Sequence, residues 1–259
     1  KSAGMKYMVM TTKHHEGFCL WDTALNDYNA AKRGPKRDIV REYVEACREE
    51  GLKIGFYYSL MDWHHPDGWR CAFDEEARKR FLDYTYGLVE ELVTNYGKID
   101  ILWYDVPRPF ESWEGWSSLA MNQMVRDKQP HIIINNRSIL PEDFGTPEEH
   151  IQKMDGDWEA CMTFNQLSWG YVDSEQAAPY SYNAQQIIKM LNTVCSGGGN
   201  LLLNIGPTPS GDVPSEAIEP LQTVGAWLEE NGDAVYGILT PTPRFTTNGT
   251  GGTSAFGPR

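Results

Sequence analysis

Asp105 closes the run ILWYDVP, so a carboxylate follows directly on four apolar or aromatic residues. At the tip of a buried strand such an acid costs free energy unless it is paired or used. It could cap the next turn or pair with Arg37 or Arg137. Strand tips of α/β barrels carry chemistry, so the catalytic reading outweighs the structural one. A second cluster stands in MVMTTKHHEGFCLWDT, where an apolar run stops at His14, His15 and Glu16. Adjacent strand residues face opposite ways, so the two histidines would not easily grip one ion, and no HxxxH or HExxH partner is nearby. A polar and aromatic pocket for a sugar suits them better. Imidazoles donate to and accept from hydroxyls, while an indole such as Trp21 can stack on a ring or simply pack in the core. Further acids stand in DFGTPEEHI, with Glu148 and Glu149, and in GDWEACMTFN, with Glu159. Two carboxyls flanking one bond form the glycosidase pair, about 5–5.5 Å apart when the second is a nucleophile and wider when it activates water. A proton donor also needs a raised pKa, from an apolar wall or a like charge.

Strands and helices alternate along the chain and must position these groups. Strands are expected at 6–12, 53–59, 99–105, 131–136, 159–164 and 200–205. Several are apolar on both faces, as buried parallel strands are. Helices are expected between them. Asp38 caps one whose stripe is Ile39, Tyr43, Ala46 and Cys47, closed by Gly51. The others span 74–96, 117–128, 183–195 and 215–230. The strand ends read His14/His15, Tyr57/Tyr58, Trp103/Asp105, Asn135/Asn136/Arg137 and Asn204. The expected class is therefore α/β, a (β/α)8 TIM-like barrel. A dinucleotide fold is disfavoured, because SGGGNLLLNIG puts its glycines before a strand rather than between strand and helix. They are expected to shape a tight helix-to-strand turn. The charged stretch KRGPKRD reads as a solvated loop before a helix.

The 259 residues suffice for one large α/β domain or two small ones. A net charge of -13 argues against nucleic acid and anionic membranes as partners. No run of eighteen apolar residues exists to span a bilayer. Five scattered cysteines without a CxxC argue against a disulfide framework and for buried apolar thiols. Nine Trp and thirteen Tyr, many near strand ends, suit a carbohydrate cleft. A homo-oligomer is compatible with this composition. The compartment is not legible: secreted, periplasmic and cytoplasmic locations all fit. With no initiator Met and a low-complexity end, the chain reads as a fragment at both ends, and two barrel strands are expected before Lys1.

The motifs TTKHHEGFCLWDT, KRGPKRDIV, LKIGFYYS, ILWYD, NNR, TPEEHI, WEACMTFNQLSWGY and GGGNLLLNIGP stand in one order from Met5 to Ile238. Together they resemble the α-L-fucosidases of glycoside hydrolase family 29. The resemblance implies a catalytic barrel over 1–238, with 239–259 a linker or the start of a β-sandwich. It implies retaining hydrolysis of terminal α-linked L-fucose from a fucosylated oligosaccharide or glycoconjugate, with no metal and no cofactor. By position Asp105 matches the nucleophile. Glu148 matches the acid/base of some members, Glu159 is the second candidate, and Glu149 a weaker neighbour. His14, His15, Tyr57, Trp103, Arg137 and Trp169 match the fucose pocket. The histidines would bond ring hydroxyls, Trp103 and Trp169 would wall the C5 methyl, and Arg137 would hold a carboxylate ionised. Trp21 is a further, weaker pocket candidate. Two departures stand out. The family's further His and Glu-Trp pair fall before Lys1, and Arg108 stands where many relatives keep an aromatic.

Overall fold

The computed structural model describes residues 1–237, which form two compact units: Lys6–Phe144, and residues 1–5 together with the chain from Gly145 onward. The expected segment 239–259, with residue 238, lies outside the described residues.

The first unit holds strands β1 (Tyr7–Lys13), β2 (Lys53–Ser59), β3 (Ile101–Asp105) and β4 (Ile133–Ile134). They pair in that order, all parallel. Helices α1 (Ile39–Glu49), α2 (Glu75–Thr94), α3 (Trp113–Trp116) and α4 (Ser118–Lys128) connect them. Strand alternation divides the side chains into two sets. Phe56, Tyr58, Leu102 and Tyr104 join the core with Val40, Val44, Phe81, Leu88 and Val125 of the helices. Each large apolar side chain buried this way contributes about 1.5–3 kcal/mol. Tyr57, Ser59, Trp103 and Asp105 fall to the other face.

Three expectations need correction here. The buried face of α1 is Val40, Val44 and Cys47, not Ile39, Tyr43 and Ala46. Cys47 was in both sets, but the stripe runs at i, i+4, i+7 from Val40. Tyr43 sits beside it, its hydroxyl donating to the Met8 carbonyl at 2.6 Å. The expected strand 131–136 shrinks to the two residues of β4, because Asn135 leaves the ladder and substitutes its side chain. Its Oδ1 accepts from the Tyr104 N–H at 2.8 Å and its Nδ2 donates to the Tyr104 carbonyl at 2.9 Å. The segment with Glu148 and Glu149, which reads from the sequence as a loop, instead runs alongside a strand of the second unit.

That unit holds parallel strands β5 (Glu159–Thr163) and β6 (Asn200–Asn204), with helices α5 (Ser174–Ala177), α6 (Ala184–Ser196) and α7 (Ser215–Asn231). Residues 145–149 run alongside β5, with parallel bridges Gly145 to Trp158 and Glu148 to Cys161. The Cys161 N–H donates to the Pro147 carbonyl and the Glu149 N–H to the Cys161 carbonyl. Asn183 caps α6 through a reciprocal box with Gln186. The turn from α6 to β6 needs glycine at 199, where a Cβ would lie 2.4 Å from the Trp158 ring. Met162, Phe164, Ile187, Leu221 and Val224 build this unit's core.

Candidate active site

The register of the first sheet sets Tyr57 beside Trp103 and Ser59 beside Asp105. Asp105 is half-buried at the end of β3, and both its oxygens are held. Oδ1 accepts from Arg137 Nη1 at 2.8 Å, and Oδ2 accepts from the Tyr57 hydroxyl at 2.7 Å. Arg37, the alternative cation, pairs with Glu42 instead. Arg137 reaches Asp105 because the chain leaves β4 at Asn135 and turns through a single 3-10 turn, Asn136–Ser138. Its guanidinium lies 4.9 Å over the Trp103 ring, and Tyr57 stacks on that indole at 5.7 Å. Immediately after Asp105, Val106 adopts φ +41°, a strained left-handed conformation for a β-branched residue.

The two histidines follow from the tip of β1. His14 stacks on Tyr57 at 5.7 Å and lies tilted against the His15 ring at 3.8 Å. His15 Nδ1 lies 2.6 Å from Ser59 Oγ, and its ring meets the edge of Trp63. Burial, and then the neighbouring His14, hold the His15 pKa below its usual value, while Asp105 pulls the other way. The hydrogen bond with His14 lowers the Glu16 pKa. Gly17 permits this turn, since a Cβ there would lie 2.4 Å from Asp62 Oδ1.

His14, His15, Tyr57, Trp103, Asp105 and Arg137 are thus brought together within the first unit. Trp21 is not among them, and its reading as a pocket residue is corrected. It is 0% exposed and its indole N–H donates to Glu91 on α2 at 2.8 Å, a packing role. The remaining candidates belong to the second unit. Glu148 is half-buried opposite Cys161, and Glu159 is buried two residues earlier on β5. Glu149 is committed to the backbone, accepting from the Thr163 N–H at 2.9 Å. Trp169 is 38% exposed on the turn after β5 that Asn165 organises by accepting from the Leu167 and Ser168 N–H groups. Sequence reasoning placed Asn135 at a strand end without giving it a role, and missed Ser59, Lys13 and Asp62. Strand parity from Asp105 across to β2 would have found Ser59. Among the described residues, no three His, Cys, Asp or Glu side chains converge as a metal site.

The profile of the α-L-fucosidase family matches residues 1–233. The chain belongs to that family. It is 36% identical over 249 residues to the plasma α-L-fucosidase of Rattus norvegicus, covering 91% of this chain and 54% of that one. With the α-L-fucosidase of Dictyostelium discoideum it shares 31% identity, over 97% of this chain and 59% of the relative. Among solved structures, α-L-fucosidase isoenzyme 1 from Paenibacillus thiaminolyticus superposes with a TM-score of 0.82 at 40% identity, over 91% of this chain and 62% of its own. A family 29 enzyme from Bacteroides thetaiotaomicron, solved as a trapped covalent intermediate, gives 0.79 at 32%, over 91% and 60%. The family fold is the α/β, (β/α)8 TIM-like barrel class expected from the strand–helix alternation. The chain spans about half the length of the curated family members it matches. No helix among the described residues is long and apolar enough to cross a membrane.

Proposed function

We propose that this chain carries the catalytic centre of a retaining, exo-acting α-L-fucosidase that releases terminal α-linked L-fucose from an oligosaccharide or glycoconjugate. The observation that carries this reading is the Asp105 carboxylate. It is fixed at both oxygens by Arg137 and Tyr57 and set beside two imidazoles and an indole face. A carboxylate held this way is oriented for attack without being neutralised. Its oxygen attacks the anomeric carbon, an ester forms between Asp105 and the sugar, and the glycosidic bond breaks. Glu148, as acid, gives its proton to the departing oxygen. As base it then takes a proton from water, which attacks the same carbon, frees fucose and restores Asp105. Two inversions give net retention. His14 and His15 bond ring hydroxyls, and Trp103 walls the C5 methyl.

Glu148 is favoured over Glu159 because it is half-buried near the end of its strand-like segment, whereas Glu159 is 5% exposed at the start of β5. The assay is hydrolysis of an aryl α-L-fucoside by the full-length protein; folded protein that releases no aglycone discards the reading. Asp105→Ala should lower kcat by about 10³-fold or more, and azide should rescue it with a β-fucosyl azide product. Glu148→Gln should slow substrates with poor leaving groups far more than activated aryl fucosides. The same pattern in Glu159→Gln instead would move the proton-transfer role there.

A further inference from the structure

Lys13 is buried at the end of β1, its side chain 0% exposed, beside an Asp62 that is 2% exposed. Nζ donates to the Ser59 carbonyl at 2.9 Å, to the Met61 carbonyl at 3.1 Å and, at longer range, to the His14 carbonyl at 3.4 Å. It also lies 3.4 Å from Asp62 Oδ2, an ion pair, and 4.8 Å over the Tyr58 ring. Asp62 is held in turn, since its Oδ1 accepts from the His64 and His65 N–H groups at 2.9 and 2.8 Å. A buried ion pair is a poor device for stability, because desolvating two charges offsets most of their attraction. What this one does is geometric. It ties the β1 tip, which carries His14 and His15, to the end of β2, where Ser59 stands against His15, and to Met61 just beyond it.

We propose that Lys13, paired with Asp62, is a positioning residue for substrate recognition, its ammonium fixing the backbone at His14, Ser59 and Met61 so that both imidazoles are preset for ring hydroxyls. The proposal rests on the fucosidase reading of the site. Ser59 is the link between the two layers: its hydroxyl donates to the Met61 carbonyl at 3.2 Å and lies 2.6 Å from His15 Nδ1. Losing the ammonium would take a hydrogen bond from all three carbonyls, those of Ser59, Met61 and His14, that define where Ser59 and the imidazoles sit. Misplacement of about 1 Å from a change away from the chemistry can cost about 10²-fold in rate. Lys13 also acts on His15 through space. The titratable groups around that ring are His14, Glu16, Asp105 and Lys13, and the lysine charge opposes protonation of His15.

The test compares wild type, Lys13→Met and the double variant Lys13→Met/Asp62→Asn in the full-length protein. Active sites are counted with a mechanism-based inactivator, so partial unfolding does not register as slow turnover. The double variant removes both charges, which spares the fold an unpaired buried carboxylate, and the Asn oxygen still accepts from the two N–H groups. In both variants kcat/KM per titrated site should fall 10- to 100-fold, with KM rising more than kcat falls. The NMR titration midpoint of His15 should rise in Lys13→Met. A double variant with wild-type kcat and KM, or a His15 midpoint unmoved in Lys13→Met, would overturn the proposal. Wild-type protein that releases no aglycone would instead count against the fucosidase reading itself.

Discussion

Replacing Asn135 tests how the site is carried by the sheet. Asn135 is 0% exposed, and its amide serves as the ladder partner of Tyr104 on the β4 side. Asn135→Leu keeps the volume but strands one buried N–H and one buried C=O. Each unpaired buried group costs about 1–3 kcal/mol, so the variant should lose about 2–6 kcal/mol. That is a large part of the 5–15 kcal/mol typical of a whole protein. Urea unfolding followed by tryptophan fluorescence should show a lower midpoint at nearly unchanged slope. Because the Asn135 clamp also precedes the turn that delivers Arg137, kcat should fall in the fraction that stays folded. Asn135→Asp sharpens the point. One carboxylate oxygen can still accept from the Tyr104 N–H, but the other faces a carbonyl and repels it. Protonation restores a donor, so this variant should gain stability relative to Asn135→Leu as pH falls. A Leu variant within about 0.5 kcal/mol of wild type, the usual range for neutral surface changes, would refute the reasoning.

Tyr57→Phe keeps the ring between His14 and Trp103 but removes a hydrogen bond to a charged acceptor, a contribution of about 1.5–3 kcal/mol. It should lower kcat/KM on an aryl fucoside about 10- to 100-fold with little change in unfolding midpoint. Trp21→Phe should do the reverse, costing about 1–3 kcal/mol in urea unfolding through the bond lost to Glu91 while KM stays at the wild-type value. His15 provides a pH signature. Its folded pKa is depressed, so its contribution to stability is present above the unfolded value of about 6.5 and is lost as pH falls below it. The stability gap between wild type and His15→Gln should therefore narrow on acidification, as read by unfolding midpoints across that range; a constant gap would contradict the assignment.

Much of this centre was legible because buried parallel strands announce themselves. ILWYD and KIGFYYS can hardly be anything but central strands, and their last residues had to meet at one end of the sheet. Parity was the weaker part of that reading. Tyr57 and Tyr58 stand together at one strand tip in the sequence, yet one holds Asp105 and the other is core. Register with β3 decides between them, and register is a long-range property. The same holds for the two arginines offered to Asp105. Arg37 finds Glu42 five residues away, while Arg137 reaches Asp105 only because Asn135 stops β4 early. The stripe of α1 was misphased by one residue because Tyr43 is apolar in type but uses its hydroxyl on two strand carbonyls. Lys13 read as one more polar residue in a polar cluster. Its partner stands 49 positions later, and nothing local in either segment points to the other.

Val106 has a consequence for how far the Asp105 carboxylate can wander. With the backbone turned aside within one residue, β3 cannot lengthen and no pliable stretch separates the carboxylate from the sheet. Its position is a matter of two side-chain torsions mounted on a rigid frame, not of a loop's equilibrium. Remodelling of the segment after Asp105, Arg108 included, therefore alters the surroundings of the carboxylate while its oxygens stay where the sheet puts them.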